Sequence, residues 1–462
     1  MRFTSNSRLI GVLLALVIIS SLIFSGCSSS TSTTSQTTAT STAVQKELKI
    51  GSILALNSPA GIQTANWFKL MAKLINDDGG WKIGDDVYHV QMIIYDTQGN
   101  LATAKDTLSK AVLSDGCKFI IGSSITGSAD VDATITEPNK VIVIEEDLTN
   151  QAVNPKYQYM YPSGNFFQNA DVYKIYQDQV NKGIKSYVSV KPDNEMGHAL
   201  DAVFDMAWQL ADPNIEKLAT VFVPMSTVDF GPISTKIESY GADCVDLIYL
   251  GLIPNSVPAV YRGLADVGYK GTILPGLMSQ DLLDSVVATV GKEIVEGGEV
   301  AGVDIRTWQD DPEQLALIDA YIKEYGKWED DSAPDAFQTL QHMINGAQSV
   351  DTDVIKAYWD KGVPSYKVLS GNYMYFPRPD VGNDRCVMGA IAQRVGLIKD
   401  GKLVDSGVRT TLKDQLLFTV MTRGLVDVYK EWWDTHGYPV FPEEEKGLES
   451  IHYSDLGIMG KD

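Results

Sequence analysis

The sequence predicts an α/β protein made of two doubly wound lobes. Three observations carry that expectation. Short apolar runs alternate with amphipathic helical segments, the alternation restarts after Tyr161, and the 462 residues exceed the roughly 250–300 that one hydrophobic core supports. Alternating strand and helix builds a mostly parallel sheet with helices on both faces, because parallel neighbours need a crossover connection.

The chain opens with Arg2 and Arg8 ahead of an apolar stretch from Leu9 to Cys27, the pattern of an export signal. Phe24-Ser25-Gly26-Cys27 resembles a bacterial-type lipobox, with Phe24 where Leu is usual. That resemblance implies cleavage before Cys27 and lipid attachment to its sulfur. An uncleaved anchor is the alternative, since the run approaches the roughly 20 residues that span a bilayer. Either way the remainder is expected outside the cytoplasmic membrane, lipid-anchored in the first case. Next comes "SSSTSTTSQTTATSTAVQKE", Ser/Thr-rich and without apolar residues to bury, which reads as a flexible tether.

The folded part is expected to begin near Leu48. Residues 48–56 read as a buried strand. In 61–80, Trp67, Leu70, Met71, Leu74 and Ile75 fall on one helical face, and Asp77-Asp78-Gly79-Gly80 stops the helix. A strand follows at 88–96. Leu101, Ala104, Leu108, Ala111 and Val112 then make a second helical stripe, and "KFIIG" and "KVIVIE" are further strands. After Tyr161, strands are expected at 186–190, 218–224, 243–251 and 271–276. Amphipathic segments near 197–211, 232–240, 256–268 and 281–290 separate them. Residues 312–326 and 334–361 are expected to be mostly helical. "NYMYFPRPDVG" and "CVMGAIAQRVGLIKDGKLV" read as two strands with a turn. Residues 405–462 are aromatic, acidic and of unassigned role.

Composition excludes several functions. The formal net charge is −21, and loss of residues 1–26 would remove two arginines and no acid, leaving −23. Nucleic acid is therefore not an expected partner, because phosphate binding needs clustered Lys and Arg. The four cysteines form no CxxC and the five histidines no HExxH, so neither a metal nor another cofactor is expected. Cys117, Cys244 and Cys386 lie in or beside strand-like segments and read as buried thiols. The adjacent acids Asp85-Asp86, Glu145-Glu146 and Asp310-Asp311 read as solvated surface rather than acid–base pairs, though Glu145 and Glu146 carry more weight as candidates because they end a strand facing the expected cleft.

In open α/β sheets ligands sit beyond the carboxyl ends of strands. The loop in "IIGSSITGSADV", residues Ile120 to Val131, is the leading candidate. Ser123, Ser124, Thr126 and Ser128 offer hydroxyls, and Gly122 and Gly127 let the backbone approach. A helix starting here would aim free N–H groups at the loop, which suits a carboxylate. Simple helix capping by one hydroxyl is the alternative. The segment lacks the last Gly of GxSxG and the Lys of a phosphate-binding loop, so it is neither a nucleophile elbow nor a nucleotide site. No enzymatic activity is expected.

Taken together, several segments resemble the type I periplasmic solute-binding proteins of branched-chain amino-acid (Leu/Ile/Val-binding) ABC transporters. They are "LKIGSILALNSPAG", "AKLINDDGG", "VQMIIYDTQGNLATAKDTLSKAVLSDGCKFIIGSSITGS", "VIVIEEDLTN" and "GADCVDLIYLGLIPNSVPAVYRGLADVGYKGTIL". The resemblance covers about residues 47–400 through the order of many weak motifs. It implies two Rossmann-like lobes joined by three crossovers near Pro162, Ala301 and Gly371. The implied organisation is 1–26 signal peptide, 27–46 tether, 47–162 with 302–370 as lobe 1, 163–301 with 371–404 as lobe 2, and 405–462 as a C-terminal extension. It also implies a monomer that closes on a small-molecule ligand and delivers it to an ABC permease.

Carried over by position, Thr126 matches a family Ser that holds the ligand carboxylate, with Ser124 and Ile125 just before it. Thr149 matches a Thr that contacts the amino-acid head group, with Asp147 two residues earlier. Gln63 falls where some members place Tyr, Met196 where an aromatic stacks, and Ile253 where another Tyr stands. The acid that pairs with the ligand ammonium is expected near 276–280, but the sequence there is Gly276-Leu277-Met278-Ser279-Gln280. A buried ammonium without a counter-charge is costly. Either Asp147 supplies the charge or the ligand is an amide, an aromatic acid or another small carboxylate, against an apolar wall of Met196, Met278 and Ile253. A ligand-sensing receptor that signals occupancy to a partner is the alternative function, and an extracellular hydrolase is a weaker one.

Overall fold

β1 (Lys46–Leu54) lies near the middle of a mostly parallel sheet. A computed structural model of the chain describes residues 46–123, 128–145, 151–163, 169–253, 255–328 and 334–441. After β1 come α1 (Pro59–Asp77), β2 (Trp81–Ile83), β3 (Asp86–Asp96), α2 (Leu101–Ser109), β4 (Phe119–Ser123), α3 (Ala129–Thr136), β5 (Ile142–Glu145) and β6 (Met160–Pro162). The strands stack in the order β2-β3-β1-β4-β5-β6, all parallel except the β2–β3 pair. The α1 stripe read from the sequence is the buried face: Trp67, Leu70 and Met71 are at most 4% exposed. On α2 the stripe differs at its start, where Leu101 is 43% exposed, while Ala104 and Leu108 are buried.

The alternation then restarts with α4 (Ala170–Asn181), β7 (Ser186–Pro192), α5 (Glu195–Ala211), β8 (Glu216–Val223), α6 (Gly231–Ser239), β9 (Cys244–Asp246), α7 (Ser256–Val267), β10 (Thr272–Leu274) and α8 (Gln280–Val290). These strands make a second parallel sheet, β10-β9-β7-β8. The strand read over 243–251 is cut short. The Asp246 carboxylate accepts from Ile248 N at 2.9 Å, a local turn that competes with the ladder, and Tyr249 follows with a left-handed backbone, φ +67.

β11 (Glu299–Ala301) is followed by α9 (Pro312–Tyr325), α10 (Pro334–Ala347), α11 (Thr352–Trp359) and β12 (Tyr366–Val368). The stretch read as two strands forms four: β13 (Gly371–Arg378), β14 (Asn383–Ile391), β15 (Arg394–Lys399) and β16 (Lys402–Arg409). Asp400 and Gly401, at φ +53 and +72, make the tight turn between the last two, the Asp-Gly signal of a two-residue hairpin. β12-β13-β14 and β11-β15-β16 are small antiparallel sheets.

The cores show where the chain passes between bodies. The first sheet packs with α10, α11 and β12 through Phe337, Ile355 and Val368. The second sheet packs with β11, β15 and β16 through Val300, Ile398 and Leu403. β11 belongs with the second body, yet Ile305 is already packed beside Trp67 of α1. β13 places Tyr373 and Tyr375 in the first core and Phe376 in the core of α4 and α5.

α12 (Leu412–Thr422) and α13 (Val426–His436) close the described chain. α12 starts with a reciprocal cap, Asp414 N to Thr411 Oγ1 at 3.1 Å and Thr411 N to Asp414 Oδ2 at 2.7 Å. It buries Leu416, Leu417 and Phe418 against α4 and α5, so this part of the C-terminal segment is built into the fold. Cys117, Cys244 and Cys386 are free thiols, the first two buried. Among the described residues no helix is long and apolar enough to cross a membrane.

Candidate ligand-binding cleft

Each parallel sheet has a point where successive connections diverge to opposite sides. In the first sheet β1 lies between β3 and β4, and in the second β7 lies between β9 and β8. The loops after such strands form a crevice at the carboxyl edge, where backbone N–H groups from the next helices are available.

At the β1 end, Ser58 caps α1 by accepting from Gly61 N at 3.1 Å and donates to Ala55 O at 2.9 Å. Gly61 is required: a Cβ there would lie 2.1 Å from Ala55 O. Gln63 follows on α1, half-buried, and no described residue bonds its amide. At the β4 end, Gly122 has φ +70 and would press a Cβ to 3.2 Å from Leu54 Cδ2. The side chain of Ser128, which precedes α3, does not cap that helix; its hydroxyl donates to Asp132 Oδ2 at 2.8 Å. Asp130 and Asp132 occupy the first turn of α3, so part of the helix dipole there is already opposed by acids of the chain itself.

At the β7 end, Asn194 caps α5 by accepting from Gly197 N at 2.8 Å. Met196 sits in the first turn of α5, half-buried against the core of α4 and α5. His198 lies 2.8 Å from Asp193 Oδ1 and stacks on Phe222, with ring centroids 3.9 Å apart. After β10, Met278 is 6% exposed and packs in one core with Ile253, 1% exposed. Gln280 is held on both sides of its amide: it donates to Asp284 Oδ1 at 2.7 Å and accepts from Leu403 N at 2.9 Å.

The structure thus places Gln63 at the edge of the first sheet, and Met196 and Met278 at the edge of the second. Ser124, Ile125, Thr126, Asp147, Thr149 and Cys27 lie outside the described residues.

Two buried polar features behind the second edge were not singled out in the sequence. Lys191 ends β7 with its Nζ 3.2 Å from Asp246 Oδ2, both side chains fully buried. Tyr176 donates to the same oxygen at 2.7 Å, and the Phe204 ring lies 5.1 Å from the ammonium. Asp171, in the first turn of α4, is 1% exposed, and among the described residues no well-aligned hydrogen bond reaches its carboxyl oxygens, which only the nearby Asp171 and Val172 N–H groups favour weakly. Burial pushes its carboxyl up to about 7. A Lys inside "SYVSVKP" and an Asp inside "NADVYKIY" are the visible signals, a charge on an otherwise apolar strand or helix face.

Comparison with known proteins places this geometry. A family model described as periplasmic binding protein matches residues 47–375. The Leu/Ile/Val-binding protein homolog 6 of Brucella suis biovar 1 is 25% identical over 247 residues, or 52% of this chain and 61% of that protein. The chain therefore matches about three fifths of that relative's length. Among solved structures, a branched chain amino acid ABC transporter periplasmic ligand-binding protein from Burkholderia xenovorans LB400 has a TM-score of 0.61 at 17% identity, covering 80% of this chain and 96% of the other. A solute binding protein of an ABC transporter from Rhodopseudomonas palustris BisB5, in complex with 3,4-dihydroxy benzoic acid, has a TM-score of 0.60 at 17% identity, covering 78% and 96%. The fold is the type I arrangement of two Rossmann-like lobes joined by three crossovers. With a match that spans both parallel sheets, the chain belongs to the periplasmic binding protein family, whose members are exported solute-binding receptors rather than enzymes.

Proposed function

We propose that this protein is the extracytoplasmic receptor of an ABC importer, closing two lobes on a small carboxylate ligand and handing it to a membrane permease. The observation that carries the reading is the pair of divergence points at β1 and β7, the place where open α/β sheets bind ligands. Thr126, Ser124 and the Ile125 N–H are assigned to the carboxylate, Thr149 and Asp147 to the head group. Gln63 adds an uncommitted amide and Met196 an apolar wall, while Met278 belongs to the core beneath the β10 end. We take 47–162 with 302–370 as lobe 1 and 163–301 with 371–404 as lobe 2, and the mature protein as a monomer tethered by lipid at Cys27.

The ligand class follows from the second wall. Residues 276–280 carry no acid, and Gln280 is already committed within the protein. An ammonium group would have to rely on Asp147, whereas an aromatic or other carboxylic acid needs no such partner.

Calorimetric titration with 3,4-dihydroxybenzoate and with leucine tests the reading. Saturable binding of the aromatic acid, weakened roughly tenfold or more by Thr126→Val, is expected. Asp147→Asn separates the two ligand classes, because it weakens binding only of a ligand that carries an ammonium. Binding indifferent to Thr126→Val removes the role of the β4 loop.

A further inference from the structure

A cavity of about 420 Å³ lies between residues 308–314, 365–372, 392–394 and 409–411, and none of the described residues assigned to the cleft, Gln63, Met196 and Met278, lines it. The volume is within the range of small-molecule sites. Its two walls belong to different bodies. Trp308, Gln314 and Lys367 stand on the side of α9 and β12, where Trp308 packs on the core of Trp67 and Ile318. Gln393, Arg394 and Arg409 stand on the side of β15, β16 and α12, beside the buried Val395 and Leu412.

Three side chains of this lining, Arg394, Gln393 and Gln314, keep donors that no described residue takes up. Arg394 gives Nη1 to Asp405 Oδ2 at 2.8 Å and lies 4.6 Å from the Trp308 ring centroid, which leaves Nε and Nη2 without a partner among the described residues. Gln393 accepts from Asn169 N at 3.1 Å and from Gln415 Nε2 at 3.0 Å, so its carbonyl is committed and its NH₂ is not. Gln314 accepts from Gln338 Nε2 at 2.9 Å and likewise retains its NH₂. Of the cations in the lining, Lys367 is paired with Asp311 at 3.1 Å and Arg394 with Asp405 at 2.8 Å, so it is the remaining face of the Arg394 guanidinium that stays open to a guest. Donors whose own acceptors are already occupied suit a guest that brings acceptor oxygens, and a guanidinium fork suits a carboxylate.

We propose that this cavity is a second ligand site, distinct from the cleft, that takes a small organic carboxylate. A guest held by Gln314 on one wall and by Arg394 and Gln393 on the other ties the two bodies together. It therefore favours one setting of the hinge and couples to ligand binding in the cleft.

The experiment is calorimetric titration of the whole soluble chain with citrate and with succinate, with thermal unfolding of each unliganded variant as the control for folding. Saturable heat is expected from at least one of the two acids, weakened roughly tenfold or more by Arg394→Gln. Gln314→Glu, which keeps the acceptor for Gln338 but places a carboxylate in the wall, is expected to abolish that heat. No heat from either acid, or heat indifferent to both folded variants, overturns the proposal and leaves a water-filled hinge cavity. Heat lost with Thr126→Val instead of Arg394→Gln places the acid in the cleft, which overturns this second site while supporting the cleft reading.

Discussion

Lys191 and Asp246 form an ion pair inside the second sheet, 3.2 Å apart at the carboxyl ends of adjacent strands, with neither side chain exposed. Asp246 also accepts from Tyr176 and from Ile248 N, so its charge is well bonded, whereas no aligned hydrogen bond reaches the lysine ammonium. The two partners are thus unequally supported.

That inequality makes a stability prediction. Lys191→Met leaves Asp246 charged and buried without its counter-ion, and is expected to cost about 3–5 kcal/mol. The double variant Lys191→Met with Asp246→Asn removes both charges and keeps an acceptor for Tyr176, so it should recover much of the loss. Urea unfolding of the single and double variants checks this. A double variant no better than the single one would mean that packing, not charge, dominates the site.

Asp171 gives a pH dependence. Its carboxyl is raised to about 7 by burial, while in the unfolded chain it titrates in the ordinary range near 4. Between those values the folded state holds a proton that the unfolded state has released. Stability from this group therefore falls as pH rises from about 4 to about 7, by roughly 4 kcal/mol at the upper end, and is flat above. Asp171→Asn is expected to remove that decline and to unfold at higher urea than the wild type above pH 7. Parallel curves for the two proteins between pH 4.5 and 7.5 contradict the assignment.

How much of this was legible in the sequence depends on what each element needs from its partners. α1 was readable because Trp67, Leu70 and Met71 repeat at helical spacing and its stop signal is local. The β15–β16 hairpin was hard to read because each strand is short and mixes apolar Val395, Ile398 and Leu403 with charged residues, so only Asp400-Gly401 marked the turn. β9 ended early because Asp246 turns back on Ile248 N, and its burial beside Tyr176, seventy residues earlier, is a long-range contact that no strand propensity records. The strand ends where the cleft is proposed could be read from the sequence, whereas the hinge cavity joins residues from 308 to 411 and depends on which donors remain free, a property of the folded network alone.

The anchor is tested at Cys27. If lipid on its sulfur holds the exported chain, Cys27→Ser should move it from the membrane fraction to the soluble fraction without changing its melting temperature, because the Ser/Thr-rich tether carries no core residue. Fractionation followed by immunoblotting reads the result. Retention on the membrane would assign the anchor to the apolar run from Leu9 instead.

Gly122 tests how tightly the β4 end is built. Its φ of +70 disfavours any side chain, and a Cβ would in addition stand 3.2 Å from Leu54 Cδ2, 3.3 Å from Ser52 Oγ and 3.4 Å from the Phe68 ring. Gly116 has nearly the same backbone, φ +74, but nothing within 4 Å of its would-be Cβ. Gly116→Ala therefore measures the backbone strain alone, on the order of 1 kcal/mol. Gly122→Ala should exceed it by roughly 1–3 kcal/mol of crowding against α1 and β1. Because Gly122 leads into Ser124 and Thr126, the same variant should weaken binding of a carboxylate ligand, and Gly116→Ala should not. Equal losses of stability and unaltered affinity in both would show that the β4 end yields to a methyl group, and that the loop beyond it is positioned by something other than this close contact.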